Sequence, residues 1–167
     1  FNKALEEKSV ELYHSLMDQG LRVLAFAYRE VKSGEVIANK EEAERDMIFM
    51  GFIGLEDPPR PEVAGAIQKC REAGIRIIMI TGDGSRTALA IAKEIGLIKE
   101  KATIVEGAEF LKMTDSELLD VLSQKEVIFS RMTPKHKLRV VNVLKEQGER
   151  VAVTGDGVND APALKKA

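Results

Sequence analysis

The 167 residues carry 25 basic and 27 acidic side chains, a formal charge of −2, and the content is 44% hydrophobic. No basic excess is available for a nucleic-acid surface, and the longest apolar run, residues 47–55, is far shorter than a membrane span. One cysteine excludes an internal disulfide, which fits a reducing cytosol. The length suits one sizeable core, or one domain plus part of another. No leader-like segment opens the sequence and no internal repeat is visible.

Residues 3–19 are expected to form an amphipathic helix, with Leu5, Ser9, Leu12, Tyr13 and Leu16 on one stripe. Gly20 ends it. Residues 21–28 read as a strand that is apolar on both faces except at Arg22. Arg22 shares the face of Leu24 and Phe26, and an arginine at the end of a buried strand calls for an anion, either a carboxylate or a phosphate. Residues 31–39 are a polar loop, and 40–46 a solvated loop or short helix. Residues 46–55 read as a second strand, buried on both faces.

Asp57-Pro58-Pro59-Arg60-Pro61 stiffens the backbone and forbids helix through it. It separates two blocks of different pattern, so a domain boundary is expected here, with a semi-rigid connector at 57–61. Residues 62–73 follow as a helix with Val63, Ala66, Ile67 and Cys70 inward, stopped by Gly74. Residues 75–80 read as a parallel-type strand running into Thr81-Gly82-Asp83-Gly84, and a helix begins near Ser85. A strand, a glycine-rich turn with a hydroxyl and a helix N-terminus can receive phosphate.

A short strand at 102–105, a helix at 115–123 with Thr114 as N-cap, and a strand at 127–129 come next. Pro134 opens a helix reaching about residue 147. Lys137 precedes Val140, Val141 and Leu144 by three, four and seven, so it lies on the buried stripe near the helix start. A lysine there needs an anion. Lys135 and His136 are expected at the surface. The strand–helix alternation from Ile75 onward predicts an α/β fold with a parallel sheet covered on both faces.

The last stretch, residues 151–164, begins with a β-branched run at 151–154 that reads as a buried strand. Gly155-Asp156-Gly157 follows, then a helix from near Asn159 with Asp160 in its first turn and Pro162 where a missing N–H costs little. Asp156, Asn159 and Asp160 therefore gather past the carboxyl end of a strand, where open α/β sheets bind ligands. Carboxylates there suit Mg²⁺.

Thr154-Gly155-Asp156-Gly157-Val158-Asn159-Asp160-Ala161-Pro162-Ala163-Leu164 resembles the hinge motif of P-type ATPases, cation pumps of the haloacid dehalogenase superfamily. Asp57-Pro58-Pro59-Arg60, Met79-Ile80-Thr81-Gly82-Asp83 and Thr133-Pro134-Lys135-His136-Lys137 follow the same pattern in order and spacing. They are most similar to the type II, calcium-pump-like members. Gly20-Leu21-Arg22-Val23-Leu24-Ala25 resembles the end of their nucleotide-binding domain.

The resemblance implies that residues 1–56 are the last part of a nucleotide-binding domain and 57–167 an incomplete phosphorylation domain with a Rossmann-like, haloacid-dehalogenase-type sheet flanked by helices. Thr81, within Thr81-Gly82-Asp83, would hydrogen-bond the transferred phosphoryl group, and Lys137 would neutralise it. Asp156 would hold Mg²⁺, Asn159 would contact phosphate and Asp160 would support the site. Arg22 would reach the ATP phosphates, and Arg60 would sit at the interdomain hinge near the nucleotide. The implied partners are ATP, the transmembrane and actuator domains, the rest of the nucleotide-binding domain, and a transported cation, calcium by similarity, bound elsewhere. The implied place is the cytoplasmic face of a membrane, with this piece itself soluble.

The departures are equally specific. The Asp-Lys-Thr-Gly-Thr motif that bears the family's nucleophile is absent from these residues, as is the Lys-Gly-Ala nucleotide motif. Gly84 stands where Asn or His often follows Thr-Gly-Asp. The chain ends before the strand that normally follows the hinge motif, and the 167 residues by themselves are expected to be inactive. A haloacid-dehalogenase-type phosphatase and a non-catalytic module binding Mg²⁺ or phosphate are the alternatives.

Overall fold

A computed structural model describes residues 3–99, 101–155 and 157–167. The chain divides into two compact units between Asp57 and Pro58.

The first unit holds helix α1 (Lys3–Asp18), strand β1 (Arg22–Tyr28), helix α2 (Lys40–Ala43) and strand β2 (Ile48–Leu55). Gly20, at φ 84°, turns the chain out of α1 in the left-handed region that only glycine adopts without strain. β1 and β2 pair antiparallel from Arg22↔Leu55 to Tyr28↔Ile48, with an irregularity between Phe26 and Ala27. Gly54 makes room for Leu21, whose Cδ1 would lie 2.8 Å from any Cβ there. The expected double burial of these strands is not found. Leu24, Phe26, Tyr28, Ile48, Met50, Ile53 and Leu55 are all exposed. A two-stranded ribbon has one helix to pack on, so alternation cannot bury both faces. On α1, likewise, Met17 is buried while Leu5 and Leu12 are exposed.

The second unit contains a three-stranded parallel sheet in the order β3-β5-β4, formed by β3 (Met79–Ile80), β4 (Thr103–Glu106) and β5 (Val127–Ser130). Helices α3 (Val63–Glu72), α4 (Ser85–Glu94), α5 (Gly107–Phe110), α6 (Asp115–Leu122), α7 (Pro134–Glu146) and α8 (Ala161–Lys166) complete it. β5 is central and all four of its residues are buried. Its alternation divides the core. Val127 and Phe129 pack with Phe110, Leu118, Leu122, Val140, Val143 and Leu144 from α5, α6 and α7. Ile128 packs with Ile67, Ala88, Ala92, Leu97 and Ile98, which belong to α3, to α4 and to the segment after α4. The parallel sheet is thus covered on both faces, as the unbroken apolar strands predict.

Phe110 and Phe129 meet edge to face at 5.8 Å between ring centroids and 87° between planes, the favoured geometry for aromatic rings. Each such buried ring contributes about 1.5–3 kcal/mol over the exposed state. Arg71 donates to the carbonyls of Gly96 (2.8 Å) and Leu97 (2.6 Å), satisfying acceptors just past the end of α4.

Three expectations are corrected here. Residues 75–78 are not strand; only Met79 and Ile80 pair with β5, opposite Ile128 and Phe129. Residues 151–154 form no strand, because no ladder partner stands beside them among the described residues. A β-branched run has strand propensity, but a strand exists only through its neighbour's hydrogen bonds. Val151 still packs partly against the core.

His136 is the third. It is buried, 8% exposed, with its ring 5.1 Å from that of Phe110. The Thr133 N–H donates to His136 Nδ1 at 3.3 Å, and the His136 N–H donates to Thr133 Oγ1 at 3.4 Å, closing a capping box at the start of α7. On the stripe that contains Lys137 the residue falls to the solvent side, but α5 covers that side of α7 and brings Phe110 against it. Burial, and secondarily the Arg139 guanidinium, hold the His136 imidazole below its ordinary pKa.

Two outcomes follow for stability. The unfolded chain takes up a proton on His136 below about pH 6.5 while the folded chain resists it. The unfolding free energy should therefore be complete above that pH and fall as the pH drops through it toward the lowered folded-state pKa. Denaturation midpoints from pH 8 to pH 5 should show this slope, and His136→Gln should flatten it; an unchanged slope would remove His136 as its source. At α6, Thr114 and Glu117 form a full capping box. Thr114→Ala should cost about 0.5–2 kcal/mol in a urea melt.

Candidate active site

β3 delivers the chain to Thr81 at the carboxyl end of the parallel sheet. The Thr81 N–H donates to the Phe129 carbonyl at 2.9 Å, extending the β3–β5 ladder by one bond. The Thr81 hydroxyl donates to Asp83 Oδ2 at 2.9 Å, and the Asp83 N–H donates back to Thr81 Oγ1 at 3.1 Å. The turn is thereby closed by its own side chains. Thr81 and Asp83 are half-buried, Gly82 is exposed, and α4 begins two residues after Asp83 with Gly84 as N-cap.

Lys137 rises from the first turn of α7. Its Nζ donates to Asp160 Oδ1 at 2.5 Å, and both side chains are less than one-fifth exposed. The anion that a lysine on the buried stripe requires is thus a carboxylate twenty-three residues away. Among the described residues this bond uses one ammonium N–H of the three that a lysine carries. Asp160 sits at the N-cap of α8, yet its side chain makes no capping bond. Its carboxylate is directed to Lys137 instead. Gly155 makes this possible: a Cβ there would lie 2.6 Å from both Asp160 Cγ and Oδ2. The helix starts at Ala161, two residues later than expected from Asn159, because Gly157 to Asp160 form a turn closed by the Asp160 N–H on the Gly157 carbonyl at 2.9 Å.

The connection from β5 to α7 joins these two groups. Arg131 has φ 52°, left-handed for a residue with a side chain. Its N–H donates to the Asp83 carbonyl at 2.8 Å, and the Met132 N–H donates to the Thr81 carbonyl at 2.9 Å. Thr133 then caps α7, four residues before Lys137. The Thr81–Asp83 turn and the Lys137 helix are fastened to one three-residue loop, residues 131–133.

The remaining expected residues stand apart in what can be said of them. Asn159 is exposed in the turn before α8. Arg22 is exposed at the start of β1 in the first unit, and Arg60 is exposed just before α3 in the second, its carbonyl accepting the Val63 N–H at 3.0 Å. Asp156, the expected metal ligand, lies outside the described residues. Among the described residues, the Asp160 carboxylate lies against the backbone of Gly155, and carboxylate oxygen is a hard donor that fits Mg²⁺ rather than a softer ion.

The local sequence does not reveal the Arg131 turn. Arginine has no preference for positive φ, so nothing in the local sequence marks it. The Arg139 clamp also went unseen. Its guanidinium lies 5.1 Å from the Phe110 ring centroid and donates to the carbonyls of Phe110 (3.2 Å) and Met113 (2.7 Å) and to Asp115 Oδ1 (2.9 and 2.5 Å).

Residues 3–167 match the haloacid dehalogenase-like hydrolase family. The chain is 46% identical over 166 residues to a calcium-transporting ATPase of Bacillus subtilis, covering 99% of this chain and 18% of that protein. It is 43% identical over 169 residues to calcium-transporting ATPase 1 of Yarrowia lipolytica, covering 100% and 18%. It is 44% identical over 162 residues to the cation-transporting ATPase pma1 of Synechocystis, covering 96% and 18%. The chain thus spans less than one-fifth of the length of these relatives. With the family matched across nearly every residue and calcium- and cation-transporting ATPases similar along nearly the whole chain, the chain belongs to the haloacid dehalogenase-like hydrolases, and among them to the P-type ATPases.

Proposed function

We propose that this chain forms the phosphoryl-transfer part of an ATP-driven cation pump, with calcium as the transported ion. The observation that carries the reading is the joint fastening of the Thr81 turn and the Lys137 helix to residues 131–133. Phosphoryl transfer needs fixed donors around the equatorial oxygens rather than much covalent chemistry from the protein. Here a hydroxyl, a turn backbone and an ammonium are held by one short loop. The printed names of the calcium-transporting relatives support the choice of ion.

In this reading the nucleophile is an aspartate carboxylate supplied from outside these 167 residues. One of its oxygens attacks the γ-phosphorus of ATP. The bond from that phosphorus to the bridging oxygen breaks, and ADP leaves with the electron pair. Water later attacks the aspartyl phosphate and releases inorganic phosphate. Thr81 holds one equatorial oxygen through its hydroxyl, and the Gly82 and Asp83 backbone shapes the turn around it. Lys137 offsets the developing negative charge with the N–H groups that Asp160 leaves free. Asp160 aims Lys137, and Asn159 contacts phosphate. Asp156 holds Mg²⁺, which supplies charge compensation at the phosphate oxygens. Arg22 reaches the ATP phosphates and Arg60 serves the hinge between domains. The partners are the rest of the nucleotide-binding domain, an actuator domain and a transmembrane domain, with the whole at the cytoplasmic face of a membrane. Among the described residues no helix is long and apolar enough to cross one.

Immunoblots of source cells should place this sequence in a membrane-bound protein far larger than 18.4 kDa. That protein should take up phosphate from ATP in a hydroxylamine-sensitive bond. A soluble band near 18.4 kDa would instead favour a binding module. In the pump, Lys137→Ala should slow phosphoenzyme formation by about 10²–10³-fold, the range for losing one preorganised charge-stabilising donor. An unaltered rate would take Lys137 out of the site. The 167 residues on their own should show no ATP turnover, because they carry no Asp-Lys-Thr-Gly-Thr motif. Steady phosphate release that disappears in Lys137→Ala would contradict this.

A further inference from the structure

The left-handed Arg131 is an outlier without a local explanation. A bulky side chain at positive φ costs on the order of 1–3 kcal/mol and persists only where the surroundings over-determine it. Its side chain does not supply the reason. Arg131 Nε is 3.9 Å from Glu106 Oε1, and both side chains are about half exposed, so this surface pair contributes little. The backbone does supply one. With positive φ, Arg131 turns its N–H onto the Asp83 carbonyl and lets Met132 bond the Thr81 carbonyl.

The carbonyl of the Arg131–Met132 peptide, whose N–H bonds Thr81, lies close against Gly107, the buried first residue of α5. A Cβ on Gly107 would overlap the Arg131 carbonyl oxygen and lie 3.4 Å from His136 Cε1. His136 is itself locked by the Thr133 cap and by Phe110. The Arg131–Met132 peptide therefore lies between the Thr81 carbonyl, which its N–H bonds, and the Gly107 corner, which has room for its carbonyl only without a side chain.

We propose that Arg131, through its left-handed backbone, and Gly107, through its missing side chain, are positioning residues that set the Thr81 turn against the N-terminus of the Lys137 helix. Neither touches phosphate. Their role rests on the phosphoryl-transfer reading given above, and it makes a distinctive demand: the conformation of residue 131 matters and its charge does not.

The test is a substitution series in the full pump. Arg131→Asn and Arg131→Gly tolerate positive φ; Arg131→Val does not. The rate of phosphoenzyme formation at saturating ATP should fall at least about fivefold in Arg131→Val, the equivalent of about 1 kcal/mol of displaced backbone. It should stay within about twofold of the wild type in Arg131→Asn and Arg131→Gly, with KM for ATP little changed throughout. Gly107→Ala should behave like Arg131→Val. Amide exchange measured on the 167-residue chain provides a second readout: the Arg131 and Met132 N–H groups should exchange faster in Arg131→Val and Gly107→Ala, but not in Arg131→Asn. Equal rates and equal exchange across the series would overturn the proposal, as would an Arg131→Gly variant as slow as Arg131→Val, which would assign the role to the side chain. A wild-type pump that takes up no phosphate would defeat the functional reading, and the exchange data would still decide whether residues 107 and 131 hold the turn.

Discussion

The structure of the second unit depends on four buried residues, Val127 to Ser130. As the central parallel strand, β5 pairs with β3 on one side and β4 on the other. Its alternating side chains feed two separate cores, Phe129 into one and Ile128 into the other. The helix that follows the Thr81 turn and the helix that carries Lys137 are both referred to this strand. α4 packs behind Ile128 after the Thr81 turn, and α7 packs behind Phe129 with Lys137 in its first turn. A cavity opened at Phe129 or Ile128 would be felt at the site through these helices.

The strand also ends where the candidate site begins. In parallel sheets the carboxyl ends of the strands face a crevice, because each crossover leaves the sheet there. Here β3 gives way to the Thr81 turn and β5 to the Arg131 loop, and backbone hydrogen bonds lace the two together. The site is thus an extension of the sheet's own ladder, continued past the last strand residues by bonds from Thr81, Arg131 and Met132. This is a stiff way to hold a hydroxyl and an ammonium, since main-chain bonds within a packed layer lose little on closing.

The ion pair of Lys137 with Asp160 plays a different part. Both groups are mostly withdrawn from water, so each would carry a desolvation penalty without the other. The pair joins α7 to the turn before α8, and Gly155 allows it by leaving out a side chain. In the proposed role, an ammonium already oriented by a carboxylate would meet an incoming phosphate without reorganisation, which is the property electrostatic catalysis requires.

Much of this was legible in the residues. The helices at 63–72, 85–94, 115–122 and 134–146 followed from apolar spacing and from caps at Thr114 and Pro134, because those signals are local and the helix bonds are internal. The need of Lys137 for an anion followed from its stripe. The motifs at Thr81 and at residues 154–164 carried the family. Tertiary structure decided the rest. Residues 75–78 and 151–154 have strand composition without strand structure, since a ladder needs a partner that local sequence does not specify. The apolar strands of the first unit stay exposed, because burial depends on what lies across the sheet and not on the side chains themselves. His136 is inside because α5 covers it, and Arg131 is left-handed where its N–H bonds Asp83 and the next peptide runs between the Thr81 carbonyl and Gly107. Propensity and periodicity are sums over neighbours in the chain; partner, burial and strain are set by neighbours in space.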